Sequence, residues 1–261
     1  MKTSLTGRTA LVTGASSGLG VAFARDLAHR GCALVLVARS EAPMQQLATE
    51  LRAGGATVHV RPADLSEAAA REALVKGLAS EGIAIDVLIN NAGFGVFGAF
   101  ADTDWSRLDA LLAVDVVALT HLTRLFVPGM RDRRFGHVLQ VASTGAFQPT
   151  PTYAVYSAAK TYVLEFSYAL DAELRGSGVR CTVVSPGVTA TRFLEVSGQR
   201  ATWYQRVTRM EAPGVARIGI DAMLVGRTGV ITGIVNALMA HTTRMMPRRV
   251  SARVAGWLMR N

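Results

Sequence analysis

A short apolar strand that runs straight into a glycine-rich turn and then a helix restricts this chain to few folds. Thr9-Ala-Leu-Val-Thr13 is apolar and partly β-branched, as a strand buried on both faces should be. It leads directly into Gly14-Ala-Ser-Ser-Gly18-Leu-Gly20. Val21, Phe23, Ala24, Leu27 and Ala28 follow at helical spacing. Glycines let a backbone turn tightly and approach a ligand closely, and the helix N-terminus presents free N–H groups to an anion. The arrangement suits the pyrophosphate of a dinucleotide. Taken alone, G-x-x-x-G-x-G also describes an ordinary turn between strand and helix, so the rest of the chain decides.

Five further strand-like runs share the same punctuation. Ala33–Ala38 ends at Arg39-Ser40, and Thr57–Arg61 runs into Pro62-Ala-Asp64-Leu65. Ile85–Ile89 runs into Asn90-Asn91-Ala92-Gly93, His137–Ala142 ends at Ser143, and Arg180–Ser185 ends at Pro186-Gly187. Strands that alternate with helical patterns predict an α/β fold on a parallel sheet, in which ligands bind at the C-terminal strand edge. Every special residue named so far falls on that edge. At the tip of the second strand an acid would accept from a free ribose 2′-hydroxyl, whereas an arginine can pair with a 2′-phosphate. Arg39 stands there without an acid, which favours NADP(H) over NAD; the alternative is a plain solvated arginine.

Tyr156 and Lys160 lie four apart in Tyr153-Ala-Val-Tyr-Ser-Ala-Ala-Lys160, a run that reads as helix. That spacing puts both side chains on one face. An ammonium beside a phenol favours the phenolate, so Tyr156 is expected to have a lowered pKa and to pass protons near neutral pH. Any amphipathic helix can hold such a pair; the strand-edge residues give it weight.

Thr13-Gly14-Ala-Ser-Ser-Gly18-Leu-Gly20, Asn90-Asn91-Ala92-Gly93, Ser143 thirteen residues before Tyr156, Tyr156-Ser-Ala-Ala-Lys160 and Pro186-Gly187 together resemble the short-chain dehydrogenase/reductase superfamily over essentially the whole chain. Within it the chain resembles NADP-preferring members of the hydroxysteroid and long-chain 3-oxoacyl reductase type. The resemblance implies a Rossmann-type, doubly wound parallel sheet with helices on both faces, one domain over residues 1–261, and a nicotinamide-dependent carbonyl or alcohol oxidoreductase. Tyr156 would protonate the nascent alkoxide, Ser143 would hydrogen-bond the carbonyl oxygen, and Lys160 would bind the nicotinamide ribose and tune the tyrosine. Gly14, Ser16, Ser17, Gly18, Leu19 and Gly20 would hold the cofactor. Asp64 and Leu65 would meet the adenine, Asn91, Ala92 and Gly93 the adenosine side, and Pro186, Gly187, Val188 and Thr191 the nicotinamide end. Chemistry agrees: hydride attack builds charge on oxygen, and two hydroxyl donors stabilise it until one surrenders its proton.

The family usually carries asparagine where this chain has Asp115, in Leu111-Leu-Ala-Val-Asp115-Val-Val-Ala-Leu. In the family that residue supports a helix bend and, through its backbone carbonyl, a water in a proton relay. A buried carboxylate must be paired, and Lys160 is the expected partner. Asp115 therefore joins Ser143, Tyr156 and Lys160 in the catalytic group. The alternative to a working enzyme is an NADP-binding regulatory protein of weak or lost activity.

Residues of about 189–212 resemble the family's lid and read as irregular. Phe193, Leu194, Trp203 and Tyr204 are expected to line an apolar pocket opposite Phe94, Phe97, Phe147 and Tyr153, suited to a hydrophobic ketone or secondary alcohol. The chain carries a net charge of +9, and residues 196–261 hold ten arginines against Glu211 and Asp221. The extension at about 242–261 ends in a helical pattern with Val250, Val254, Trp257 and Leu258 on one face, ringed by Arg248, Arg249, Arg253 and Arg260. Such a helix suits an anionic membrane surface, or packs on the body or a second subunit. No nucleic-acid motif accompanies the charge, and no nucleic acid is expected.

A homo-oligomer, dimer or tetramer, is expected. The N-terminus has no apolar leader before the first strand, and Cys32 and Cys181 sit at strand starts as core thiols. The expected location is cytoplasmic, with peripheral membrane contact through the C-terminal helix. The five histidines lack metal-ligand spacing, so no metal site is expected. Asp102 and Asp104 precede a helical run and read as N-terminal caps.

Overall fold

The computed structural model describes residues 5–259. The first unit is β1 (Thr9–Thr13), α1 (Gly18–His29), β2 (Ala33–Ala38), α2 (Glu41–Ala53), β3 (Val58–Pro62), α3 (Ala68–Ser80) and β4 (Val87–Asn90). A long helix follows: α4 (Trp105–Leu112) passes through a π-helical segment, Ala113–Ala118, into α5 (Leu119–Asp132). Then come β5 (Gly136–Val141), α6 (Ala154–Glu173), β6 (Val179–Ser185), α7 (Phe193–Ser197) and α8 (Trp203–Val207). The chain ends with α9 (Ala212–Leu224), β7 (Gly229–Ile231), α10 (Ile234–Met245) and α11 (Arg248–Leu258).

All seven strands are parallel in the order β3-β2-β1-β4-β5-β6-β7. The order reverses between β1 and β4, which opens a crevice at their C-terminal ends. The strands read as unbroken apolar runs because both faces are covered. In β1, Ala10 and Val12 pack with Phe23 and Leu27 of α1 and Ile220 of α9, while Leu11 packs on the other face with Leu78 of α3 and Leu122 of α5. The doubly wound sheet with helices on both faces is as the sequence predicts.

Boundaries shift slightly. β4 starts at Val87 rather than Ile85, and Asp86 just before it uses its carboxylate to accept from the Thr9 N–H at 3.2 Å. Asp104 occupies the N-cap position of α4 without a side-chain cap bond, and Asp102 closes a 3₁₀ turn, so neither carboxylate caps as expected. The helix Trp105–Asp132 is long and apolar enough to cross a bilayer. Here it buries Leu108, Leu111, Leu122 and Met130 against the body and carries Asp115 on its inner side, as a core helix does.

The segment expected to be irregular holds α7 and α8, and a bridge pairs Thr189 with Met210. α11 lays Ser251 and Ala255 on the body and leaves Val250, Val254 and Trp257 exposed. Its apolar face therefore points outward, apart from the half-buried Leu258. Arg260 lies outside the described residues.

Candidate active site

The crevice at the β1/β4 reversal continues as one cleft of about 660 Å³. One end is walled by Gly14, Ser16, Ser17, Gly18 and Leu19, with Arg39, Asp64 and Leu65 beside them. Asn91, Ala92 and Gly93 line its middle, and Pro186, Gly187, Val188 and Thr191 continue along it. Ser143, Tyr156 and Lys160 reach it from the end of β5 and from α6, with Phe94, Tyr153 and Phe193 at the far end.

The glycine-rich turn is shaped for close approach. Gly14 has φ +68°, and a Cβ there would meet Asn91 Nδ2 at 2.8 Å. A Cβ on Gly20 would lie 2.2 Å from the Gly14 carbonyl, so α1 can begin against the turn only with glycine. Gly20 thus builds the cradle without lining it. Asn91 ties the strands together: its Nδ2 donates to the Thr13 carbonyl, and the Asn91 and Ala92 N–H groups both donate to Thr13 Oγ1, all at 2.9 Å. Asp64 Oδ1 accepts from the Ser66 N–H and hydroxyl, and these bonds hold its carboxyl below the usual carboxylate range.

This cradle fits the dinucleotide that the sequence implies. An open, glycine-faced turn leads into a twelve-residue helix, and the strand-edge residues run in file away from it. Near the far end, Asn236 Oδ1 of α10 is buried without a hydrogen-bond partner, in a residue that lines the cleft beside Gly187.

Ser143 caps the 3₁₀ turn Thr144–Phe147, its Oγ accepting from the Gly145 N–H at 3.1 Å. Ser143 and Tyr156 both line the cleft, and the Ser143 hydroxyl acts on the phenol to favour its ionised form. Lys160 lies almost fully buried on the Tyr156 side of α6, with Nζ 5.8 Å from the phenol ring centre. The ammonium is shared: Nζ donates to the Val141 carbonyl at 3.0 Å and lies 3.0 Å from Asp115 Oδ2. Asp115 Oδ1 accepts from the Phe94 N–H at 3.0 Å. The pairing expected from the sequence is therefore present, with Lys160 lining the cleft and the fully buried Asp115 outside its lining. A Cβ on Gly93 would sit 2.8 Å from Asp115 Oδ2, so glycine there leaves room for the carboxylate.

The expectation of a lowered phenol pKa is corrected. Burial pushes the Tyr156 phenol up, the Ser143 hydrogen bond works downward, and the Asp115 charge pushes it up further. Asp115 itself is raised by burial, against the lowering effects of Lys160 and the Phe94 N–H. The lysine's charge is largely answered by the carboxylate, which the helical spacing alone could not show.

The expected aromatic wall is partly right. The rings of Phe97, Tyr153, Tyr156 and Phe193 form a chain, with neighbouring centres 5.3–5.7 Å apart, but Phe97 itself does not line the cleft as expected. Phe147 instead packs with Leu164 and Val183 in the core behind Ser143. Trp203 is 62% exposed and lies outside the cleft, because α8 turns Gln205 inward and Trp203 outward. The side chain of Tyr204 lies outside the described residues.

Sequence reasoning missed a buried polar clamp. The Tyr153 hydroxyl donates to Gln199 Oε1 at 3.0 Å and bonds Ser197 Oγ at 2.8 Å. Gln205 Nε2 donates to the same Gln199 Oε1 at 2.8 Å, and Gln199 Nε2 reaches the Met259 carbonyl at 3.4 Å. The lid is thus tied both to α6 and to the end of α11. Amides in a segment otherwise apolar and basic, Gln199, Gln205 and Asn236, were the available signal. Among the described residues, no three metal-ligating side chains cluster.

A family model for short chain dehydrogenases matches residues 8–201. A ketoacyl reductase of Nostoc sp. is 33% identical over 94% of this chain and 79% of its own length. A solved short-chain dehydrogenase from Sphingobium yanoikuyae in complex with NADPH superposes with TM-score 0.81 at 29% identity, covering 92% of this chain and 95% of that one. A short-chain dehydrogenase/reductase from Burkholderia phymatum in complex with NAD gives TM-score 0.82 at 26% identity, covering 91% and 93%.

Proposed function

The chain belongs to the short-chain dehydrogenase family of oxidoreductases, and we propose that it interconverts a hydrophobic ketone and its secondary alcohol with NADP(H). The observation that carries this reading is convergence. Ser143, Tyr156 and Lys160 meet in one cleft whose near end holds Arg39 and whose far end is aromatic and apolar.

The glycine-rich turn and the strand-edge file from Asp64 to Thr191 would hold the dinucleotide, which supplies or accepts the hydride when bound. Arg39, exposed at the tip of β2 without an acid beside it on that strand, favours a ribose 2′-phosphate. The Ser143 and Tyr156 hydroxyls would face the substrate oxygen. Charge that develops there in reduction is stabilised by both donors, and Tyr156 releases its proton to it. Lys160 would contact the nicotinamide ribose, and its ammonium would stabilise the phenolate left behind. Phe94, Tyr153, Phe193, Leu194 and Met239 offer the substrate an apolar wall. The ketoacyl reductase relative supports a 3-oxoacyl or similar lipophilic ketone.

The Asp115–Lys160 pair favours one second reading, a cofactor-binding protein with little turnover, because the ammonium is already engaged. NADPH oxidation with a panel of 3-oxoacyl thioesters, steroid ketones and aromatic ketones separates the two. Tyr156→Phe should keep NADPH affinity and lose ~10²-fold or more in kcat, as for removal of a general acid. Near-normal rates in that variant, or no turnover of any ketone by the unmutated protein, count against a reductase.

A further inference from the structure

We propose that the lid and the two C-terminal helices form a docking face for an anionic lipid bilayer, placing the open end of the cleft at the membrane surface. The inference goes beyond catalysis and stands on the outer surface of these elements. Their inner sides all meet the cleft: α7 through Phe193 and Val196, α10 through Met239, and the residue after α11, Met259. Their outer sides carry exposed apolar side chains among charged and polar ones. Ile234 is 90% exposed, Met245 88% and Trp257 63%, and Leu238, Val250 and Val254 are exposed with them. Ile234, Leu238 and Met245 recur at i, i+4 and i+11, one stripe along α10. Val196 both lines the cleft and stands exposed, so apolar surface continues from the interior to the outside.

Charge selects the occupant. Arg248, Arg249 and Arg253 are exposed on α11, and Arg200, Arg206 and Arg209 are exposed along the lid. From residue 222 to the C-terminus the sequence contains no Asp or Glu. The acids nearby are engaged or stand apart: Glu195 pairs with Arg192, Asp221 with Arg30, and Glu211 precedes α9. In a symmetric contact with a second copy, this patch would face itself and set arginine against arginine, with Glu195 already paired to Arg192. Nucleic acid would satisfy the arginines but leave the aliphatic stripe without a partner. An anionic bilayer answers both, with headgroup charge for the guanidiniums and the acyl boundary for Ile234, Leu238, Met245 and Trp257.

The test uses the full-length protein with saturating NADPH, co-sedimented with phosphatidylcholine vesicles with or without phosphatidylglycerol. The protein should partition onto the mixed vesicles, ignore the neutral ones, and dissociate as salt screens the surface potential beyond ~10 Å at 0.1 M. Replacing Arg248→Gln, Arg249→Gln and Arg253→Gln together should weaken partition about a hundredfold, at about fivefold per cation. Ile234→Ser with Leu238→Ser should weaken it as well, and brominated lipid should quench the emission lost in Trp257→Phe. NADPH affinity reports that each variant is folded. No partition at low salt, unchanged partition of the arginine variant, or a change in oligomer size caused by that variant would overturn the proposal. Because partition is read without turnover, a protein that binds vesicles but reduces no ketone refutes the reductase alone.

Discussion

Replacing Asp115 by asparagine isolates what the buried carboxylate does to the proton donor. Lys160 Nζ stands 5.8 Å from the Tyr156 ring centre. At an effective dielectric of ~20, a bare ammonium at that range stabilises a phenolate by about 3 kcal/mol, or about 2 pH units. The Asp115 carboxylate, 3.0 Å from the same ammonium, cancels much of that and raises the phenol through its own charge. Asp115→Asn removes both effects while keeping an oxygen for the Phe94 N–H. The phenol should therefore become more acidic by ~1 unit or more. In alcohol oxidation with NADP⁺ the rate rises as Tyr156 loses its proton, so the rising limb should move to lower pH by that amount. In ketone reduction, loss of rate at high pH should begin correspondingly earlier. Removing one partner of a buried pair costs about 3–5 kcal/mol at most, with the retained Phe94 bond holding the loss to the low end, so thermal melts should confirm a folded variant. The assay is kcat against pH in both directions, alongside NADPH titration. If the variant binds NADPH normally and its profile overlays the unmutated one, the side chain does not act on Tyr156 and only its backbone matters.

Two further outcomes follow from other parts of the fold. NADPH should bind at least ~10-fold tighter than NADH, and Arg39→Asp should narrow or invert that ratio by removing a charge-assisted contact to the 2′-phosphate; equal affinities in fluorescence titration would refute the role of Arg39. Asp171 is buried at the junction of α6 and β6; burial pushes its carboxyl up, but the Arg180 guanidinium, the Thr228 hydroxyl and the Cys181 N–H together hold it below its usual value. A folded-state pKa below the unfolded one contributes stability that is present above the unfolded value of ~3.9 and lost as pH falls through the folded value. Asp171→Asn should thus lower stability by about 2 kcal/mol at neutral pH, with the gap to the unmutated protein closing in acid; a gap independent of pH in thermal melts would refute the linkage.

Much of this protein is written locally. Short apolar, β-branched runs such as Ala33–Ala38, bounded by turn residues, suit strands covered on both faces, and the residues that follow those runs mark the ligand edge because parallel strands all end there. The glycine-rich turn, Arg39 and Ser143 were legible for that reason, and Tyr156 and Lys160 from their helical spacing of four; the structure places all of them along one cleft. What the sequence could not decide is what each side chain meets across the fold. Helical spacing put Lys160 beside Tyr156, but only tertiary packing buried the phenol, which chiefly reversed the direction of its shift, and set Asp115 against the ammonium. Periodicity identified the apolar face of α11 without saying which way it turns, and it gave the lid no face at all. The polar clamp of Tyr153, Ser197, Gln199 and Gln205 seats α7 and α8 so that Phe193 enters the cleft and Trp203 leaves it. Ser251 and Ala255 are small enough to let α11 lie close on the body, and that contact turns Val250, Val254 and Trp257 to the outside. An amphipathic pattern records a difference between two faces; which face is buried depends on the fit of side chains that meet only once the chain has folded.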